Sequence, residues 1–317
     1  MLRFNMPKSS KSLSRRRVAA SRSAMPTLIL RALTVSFLCI AAGSSPHPIR
    51  SGETWKSAET IDAPGVDGVL FLAGNINGVQ IGPAKITRAY RAIESAQTNA
   101  NLSDIRIENF VATDLERDGI RLRGNVDRIV IRNFVLSMRD QPQQASHLPE
   151  GIALMAGRNI DISDGKITGF RLAAVQDKYP NGDGIAAERG VSGLRIERVE
   201  ANDNADGGFD LKSSDTHLDH LSASRNFRNY RFWGDIQAGT LASVDPTNAH
   251  IWAGPGASVR IQLLVARSVT TAPLVSVEKA REIEIDRCDL QIPATAPILA
   301  GDVTGVRVTL GPGCERK

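Results

Sequence analysis

Short bursts of alternating apolar and polar positions recur along the chain: Ile105-Arg-Ile107, Ile129-Val-Ile131, Ile160-Asp-Ile162, Leu194-Arg-Ile196, Val259-Arg-Ile261, Ile283-Glu-Ile285 and Val306-Arg-Val308. Their starts are separated by 24, 31, 34, 65, 24 and 23 residues. Leu218 falls 24 residues after Leu194, inside the long gap, and Val79-Gln-Ile81 lies 26 before Ile105. Strict alternation predicts strands with one buried face. A base period near 24 residues, interrupted by insertions of seven to ten, predicts a solenoid. Each unit is too short to bury its own apolar face, so the neighbouring unit must cover it.

A second strand in each unit is marked by an acid-Gly-apolar step: Asp118-Gly-Ile120, Glu150-Gly-Ile152, Asp183-Gly-Ile185 and the variant Asp206-Gly-Gly-Phe209. Asn and Gly beside these steps suit turns that need positive φ. Units of this length with several short strands resemble right-handed parallel β-helices of the pectate-lyase type, over roughly residues 65 to 310. The expected fold class is therefore all-β, a single right-handed parallel β-helix with coils of about 24 residues. The domain limits are a signal peptide at 1–43, a linker and N-terminal cap at 44–64, and the helix at 65–317. Longer units near 139–149 and 171–182 are expected to carry loops that wall a groove.

Aligning the second strands stacks Ile152, Ile185, Phe209 and Tyr230 as one inward ladder, with Leu154, Ala187, Leu211 and Phe232 as the next. Neighbours along a strand alternate faces. Between the inward ladders runs an outward one, Arg121, Ala153, Ala186, Asp210 and Arg231, followed by Arg123, Met155, Glu188, Lys212 and Trp233. Asp183 and Asp206 are expected at the start of the same strands, so three carboxylates gather beside Glu188 with cationic residues around them. Clustered carboxylates keep a proton or take a compensating cation, for which Ca²⁺ is well suited. Asp118 and Glu150 read instead as solvated turn acids.

The segments Asn181-Gly-Asp-Gly-Ile-Ala-Ala-Glu188 and Asn204-Ala-Asp-Gly-Gly-Phe-Asp-Leu211 resemble polysaccharide lyase family nine. That resemblance implies Ca²⁺ held by Asp183, Asp206 and Asp210, with Glu188 beside them, and Gly207 standing where the family has a further acid. It also implies a base in the segment Asn229-Tyr-Arg-Phe-Trp-Gly234, where Arg231 takes the place of the family's lysine. A uronan lyase must acidify and remove the proton alpha to a C6 carboxylate. Arg231 can serve as that base or as the salt-bridge partner of Asp210; Lys212 is the competing base or a solvated lysine. Arg225 and Arg228 suit substrate carboxylates. Trp233 and Tyr179 can stack on sugar rings, and core packing is the other role open to Trp233. His147, His217, His220 and His250 have no metal-ligand spacing.

The total charge of +5 suggests nucleic acid until its origin is traced. Residues 1–43 hold eight Lys and Arg and no acid, so the remainder carries −3. Basic residues, an apolar stretch from Thr27 to Ala42 and small residues at Ala41-Ala42-Gly43 together read as an export signal. The stretch is broken by Arg31 and is too short to span a bilayer. A secreted or periplasmic monomer follows, with an acidic polysaccharide as partner and neither nucleic acid nor a membrane span in the mature chain. Cys288 and Cys314 lie 26 apart, one coil, and either pair as a disulfide or stay as thiols. The leading expectation is a Ca²⁺-assisted β-elimination lyase. A hydrolase using carboxyl pairs such as Asp183 and Asp206, a uronan epimerase and a non-catalytic glycan-binding β-helix are the alternatives.

Overall fold

The alternating strands wind into a parallel β-solenoid of about ten turns, seen in a computed structural model that describes residues 45–139, 148–172, 179 and 181–315. The segment expected to be an export signal, His147 and parts of both loops expected to wall a groove lie outside the described residues. Among the described residues there is no helix, so none is long and apolar enough to cross a membrane.

Each coil presents three faces. Sheet A holds the acid-Gly strands, among them Asp118–Leu122 and Gly207–Leu211, and continues through Arg228–Phe232 and Ala249–Ala253. Sheet B holds the Ile-x-Ile strands, with Ile129 beside Ile105 and Ile160, and Leu194 beside Thr216. Sheet C was not expected from the sequence. It stacks Phe110, Phe134 and Gly165, and later Leu221, Leu241, Leu264 and Cys288. Its trace in the sequence is weaker, because aromatic, Gly, Ala and Cys residues replace the Ile and Val that make sheet B legible.

The solenoid begins earlier than the repeats indicate. His47–Pro48, Thr54–Trp55 and Thr60–Asp62 pair with the A, B and C strands of the next coil, so the segment taken as linker and cap supplies a coil of its own.

Sharp corners separate the faces, and they recur at stacked positions. Asn109, Asn133, Asp164, Arg198 and His220, between sheets B and C, all have φ between 49° and 56°. Asn and Asp tolerate this left-handed conformation better than most side chains. Arginines also occupy corner positions, and there the neighbouring coil supplies an acid: Arg128 pairs with Asp104, Arg198 with Asp164 and Arg225 with Asp203. Such exposed pairs add little stability. They do account for Arg225, which donates from both Nε and Nη2 to Asp203 at 2.7 Å, on a corner and not in the carboxylate cluster.

The inward ladders align as expected: Ile152 with Ile185, Ile185 with Phe209, and Phe209 with Tyr230. The rings of Phe209 and Tyr230 stack with centroids 5.4 Å apart, and the buried Tyr230 hydroxyl donates to the Ala242 carbonyl at 2.8 Å. Cys288 and Cys314 are joined as a disulfide that fastens the last coils.

Candidate functional site

On the outer face of sheet A the strand register produces one continuous row: Glu94, Arg121, Ala153, Ala186, Asp210, Arg231 and Trp252. Successive members are about 4.8 Å apart along the axis. Although it points away from the core, much of this row is hidden from solvent: Ala153, Ala186 and Asp210 are at most 3% exposed.

Gly207, not Asp206, is level with Asp183, and its N–H donates to Asp183 Oδ1 at 2.6 Å. The backbone N–H of Asp206 donates to the Gly182 carbonyl, one residue earlier. The extra glycine in Asp206-Gly-Gly-Phe209 causes the offset and leaves Asp206 in the turn. A Cβ at Gly207 would lie 2.8 Å from Asp183 Oδ1, so this position leaves room for that carboxyl.

Asp206 and Asp210 nevertheless meet at one side chain. Arg231 Nη1 lies 2.9 Å from Asp206 Oδ2 and 3.4 Å from Asp210 Oδ2. The remaining oxygens are also engaged: Tyr179 donates its hydroxyl to Asp206 Oδ1 at 2.8 Å, and Trp233 Nε1 donates to Asp210 Oδ1 at 2.7 Å. Lys212 Nζ lies 2.5 Å from Glu188 Oε1 and 3.5 Å from Asp210 Oδ2. Arg228 reaches Tyr179 Oη and lies 3.7 Å from Asp206 Oδ1.

Trp252, one coil beyond Arg231, was missed in the sequence. It packs edge-on against Trp233 at 4.5 Å, and the guanidinium groups of Arg228 and Arg231 lie 5.1 and 5.4 Å from its ring centre. Its signal was available, since Ala249–Ala253 has the same alternation as Arg228–Phe232. Trp233 is therefore a half-buried partner of Asp210 and Trp252 more than a free platform. Tyr179 remains 45% exposed, with Phe227 against its ring edge.

The electrostatics follow from burial and these pairings. Burial opposes the charge of Arg231 and of Lys212, but Asp210 and Asp206 outweigh it for Arg231, and Asp210 and Glu188 for Lys212, so both pKa values rise. Both are firm cations at neutral pH. Asp183 is pushed well above the usual aspartate range by burial, then by Asp210 and Asp206, which favours its neutral acid. Burial likewise raises Asp206 against the pull of Arg231 and Tyr179.

Among the described residues no three His, Cys, Asp or Glu side chains are disposed to hold a metal ion. The four acids expected to ligate Ca²⁺ have a guanidinium, an ammonium, an indole, a phenol and a backbone N–H as their partners.

Asp118 and Glu150 are not solvated turn acids. They are 0% and 8% exposed and stand in the row that continues to Asp183. Asp118 accepts the Glu150 N–H at 3.2 Å. Burial, reinforced by Asp118, pushes the Glu150 pKa to about 8 from 4.5. A carboxyl with a raised folded-state pKa stabilises fully at low pH, and that contribution drains as pH climbs from about 4.5 to about 8. Glu150→Gln, which keeps the neutral shape, is expected to flatten the loss. The variant should exceed the parent by on the order of 3 kcal/mol near pH 9 and match it near pH 5. Thermal melting across this range is the measurement; parallel curves would disprove it.

A groove of about 640 Å³ lies away from these residues on sheet B, between Arg195, His217, Gln237 and Gln262. No family model matches the chain, and no characterised protein compared with it is similar in sequence.

Proposed function

We propose that this β-solenoid acts on an acidic, uronic-acid polysaccharide, and that the reaction is β-elimination. One observation carries the reading: Arg228, Arg231 and Lys212 converge on one face, 15%, 18% and 23% exposed, in front of two carboxylates that are 4% exposed. The three cations stand in front of the buried Asp206 and Asp210, which hold Arg231 in place, and Glu188, 37% exposed, pairs with Lys212. The likeness of residues 181–188 and 204–211 to polysaccharide lyase family nine supports the same substrate class.

Arg231 is the fixed cation that takes the C6 carboxylate. A guanidinium held against two acids is poorly placed to become a base, and its positive charge favours the enolate-like charge that develops as the alpha proton leaves. Arg228 and Tyr179 extend the contact. Lys212 is the proton-abstracting group, and it must first be neutral. Its raised pKa then dictates the pH profile: the rate should climb with pH through the neutral range and on into the alkaline one. No step requires a metal ion.

The test follows the ultraviolet absorbance of the unsaturated uronate during incubation with polygalacturonate and alginate. Expected are an alkaline-rising rate, its loss in Lys212→Met with glycan binding retained, and no effect of a chelator. New reducing ends without the chromophore would favour hydrolysis, the reading supported by the raised pKa of the buried Asp183 carboxyl near Asp206. Retention of glycan without any turnover would leave a binding protein and sink the enzyme.

A further inference from the structure

Three coils before Asp210, on the same outer row, sits an arginine that the proposed chemistry does not use. Arg121 is half-buried, and its Nε is shielded from solvent without a hydrogen-bond partner. Among the described residues no carboxylate lies within ion-pair distance of it.

The reason lies in its neighbours. Glu94, beside it in the row, is engaged by Arg123 and by Arg91, whose Nε is 3.3 Å away. Asp118, at the start of the same strand, takes Arg91 at 2.9 Å and Arg117 at 3.4 Å. On the other side the next two rungs are Ala153 and Ala186, which cannot offer an acid. Within ion-pair distance Asp67, Glu94 and Asp118 serve Arg91, Arg117 and Arg123, whereas Arg121 feels Asp118, Glu94 and the buried Glu150 only at longer range. Burial lowers the Arg121 pKa even though Asp118 and Glu94 pull it up, unlike Arg231, whose acids prevail.

An unpaired guanidinium in a partly desolvated row is costly unless an anion completes it. We infer that Arg121 is a second anion-binding position, taking a carboxylate of an acidic glycan whose chain lies along the solenoid axis towards Arg231. This rests on the proposed function for the direction and chemistry of the ligand. It adds that recognition extends four coils, about 19 Å, from Arg231 to Arg121.

The test is calorimetric titration with two galacturonate probes, a dimer and an oligomer long enough to reach both arginines. For Arg121→Gln, binding of the oligomer should weaken about tenfold or more while dimer binding and the melting temperature hold. Arg121→Lys, which keeps the charge, should recover part of the loss. If Arg121→Gln binds the oligomer as the parent does while Arg231→Gln does not, the Arg121 position is wrong and the proposed function stands. If the variant loses dimer and oligomer affinity equally with a lower melting point, Arg121 is structural and the inference fails. If the parent binds neither probe, nor alginate oligomers, both readings fail together.

Discussion

Arg231→Met is expected to destabilise the protein by about 3 kcal/mol at neutral pH and to abolish retention of uronans. The stability loss comes from what remains. Asp206 and Asp210, both 4% exposed on their side chains, lose the guanidinium that lies between them, and Asp183 next to them adds further acid. Removing one member of a buried charge group leaves the others unpaired, which costs more than the pair contributed. The pH dependence identifies the cause. Asp206 already has its pKa raised above 3.8 by burial, and without Arg231 it rises further. A raised folded-state pKa in an acid means stability that falls as pH climbs through the window above about 4. The variant should therefore approach the parent near pH 4 and diverge from it by pH 7. Adding Asp206→Asn to Arg231→Met should restore part of the loss. Urea titration followed by tryptophan fluorescence reads this well, since Trp233 and Trp252 flank the altered residue. A uniform loss at every pH would mean that Arg231 acts through packing against the tryptophans instead.

Gly184→Ala should be at least as damaging, about 3 kcal/mol or more, with no charge involved. Gly119, Gly151, Gly184 and Gly208 stack one above another beside the inward ladder of sheet A, each against the carbonyl of the next coil. A methyl at Gly184 would fall inside contact distance of the Gly208 carbonyl oxygen, and lie 2.9 Å from Ala201 Cβ and 3.1 Å from Asn204 Nδ2. Backbone on the far side cannot yield as a flexible side chain can. Relief requires the coils to part, which also displaces Asp183 one residue before and Asp210 on the next strand. The same substitution at Gly65, where a Cβ meets nothing within 4 Å, separates steric effects from chain entropy, although its φ of 71° carries its own strain. Denaturant midpoints at unchanged slope would check both. A Gly184→Ala protein as stable as the parent would show that the coils shift apart freely.

The acid-Gly-apolar steps make this face legible in the linear chain. The glycine of each step is required by coil spacing, and the apolar residue after it by the core. Ladder membership of Asp210, Arg231 and Lys212 follows from counting alternate residues. The same counting, from Ile185 beside Phe209, sets Gly207 level with Asp183 and leaves Asp206 one residue earlier, in the turn. It cannot foresee that Arg225 bends across a corner to Asp203, because a corner residue has no ladder position to count from.

By itself the sequence determined the period, the inward ladders of sheets A and B, and which charged residues share one outer face, because these depend only on strand alternation and the coil repeat. Only the tertiary structure decided burial and partnership. Asp118 and Glu150 were turned from solvated acids into buried ones by neighbouring coils, Arg231 was made a firm cation by Asp210 and Asp206, 21 and 25 residues away in the chain, and at Lys212 Glu188, 24 residues away, adds to the nearby Asp210. Arg121 finds no acid among the described residues, because the rungs beside it are alanine and an already engaged glutamate. Charge pairing falls off steeply with distance and dielectric, so a few ångströms of side-chain reach, invisible in a linear string, set what each charge can do.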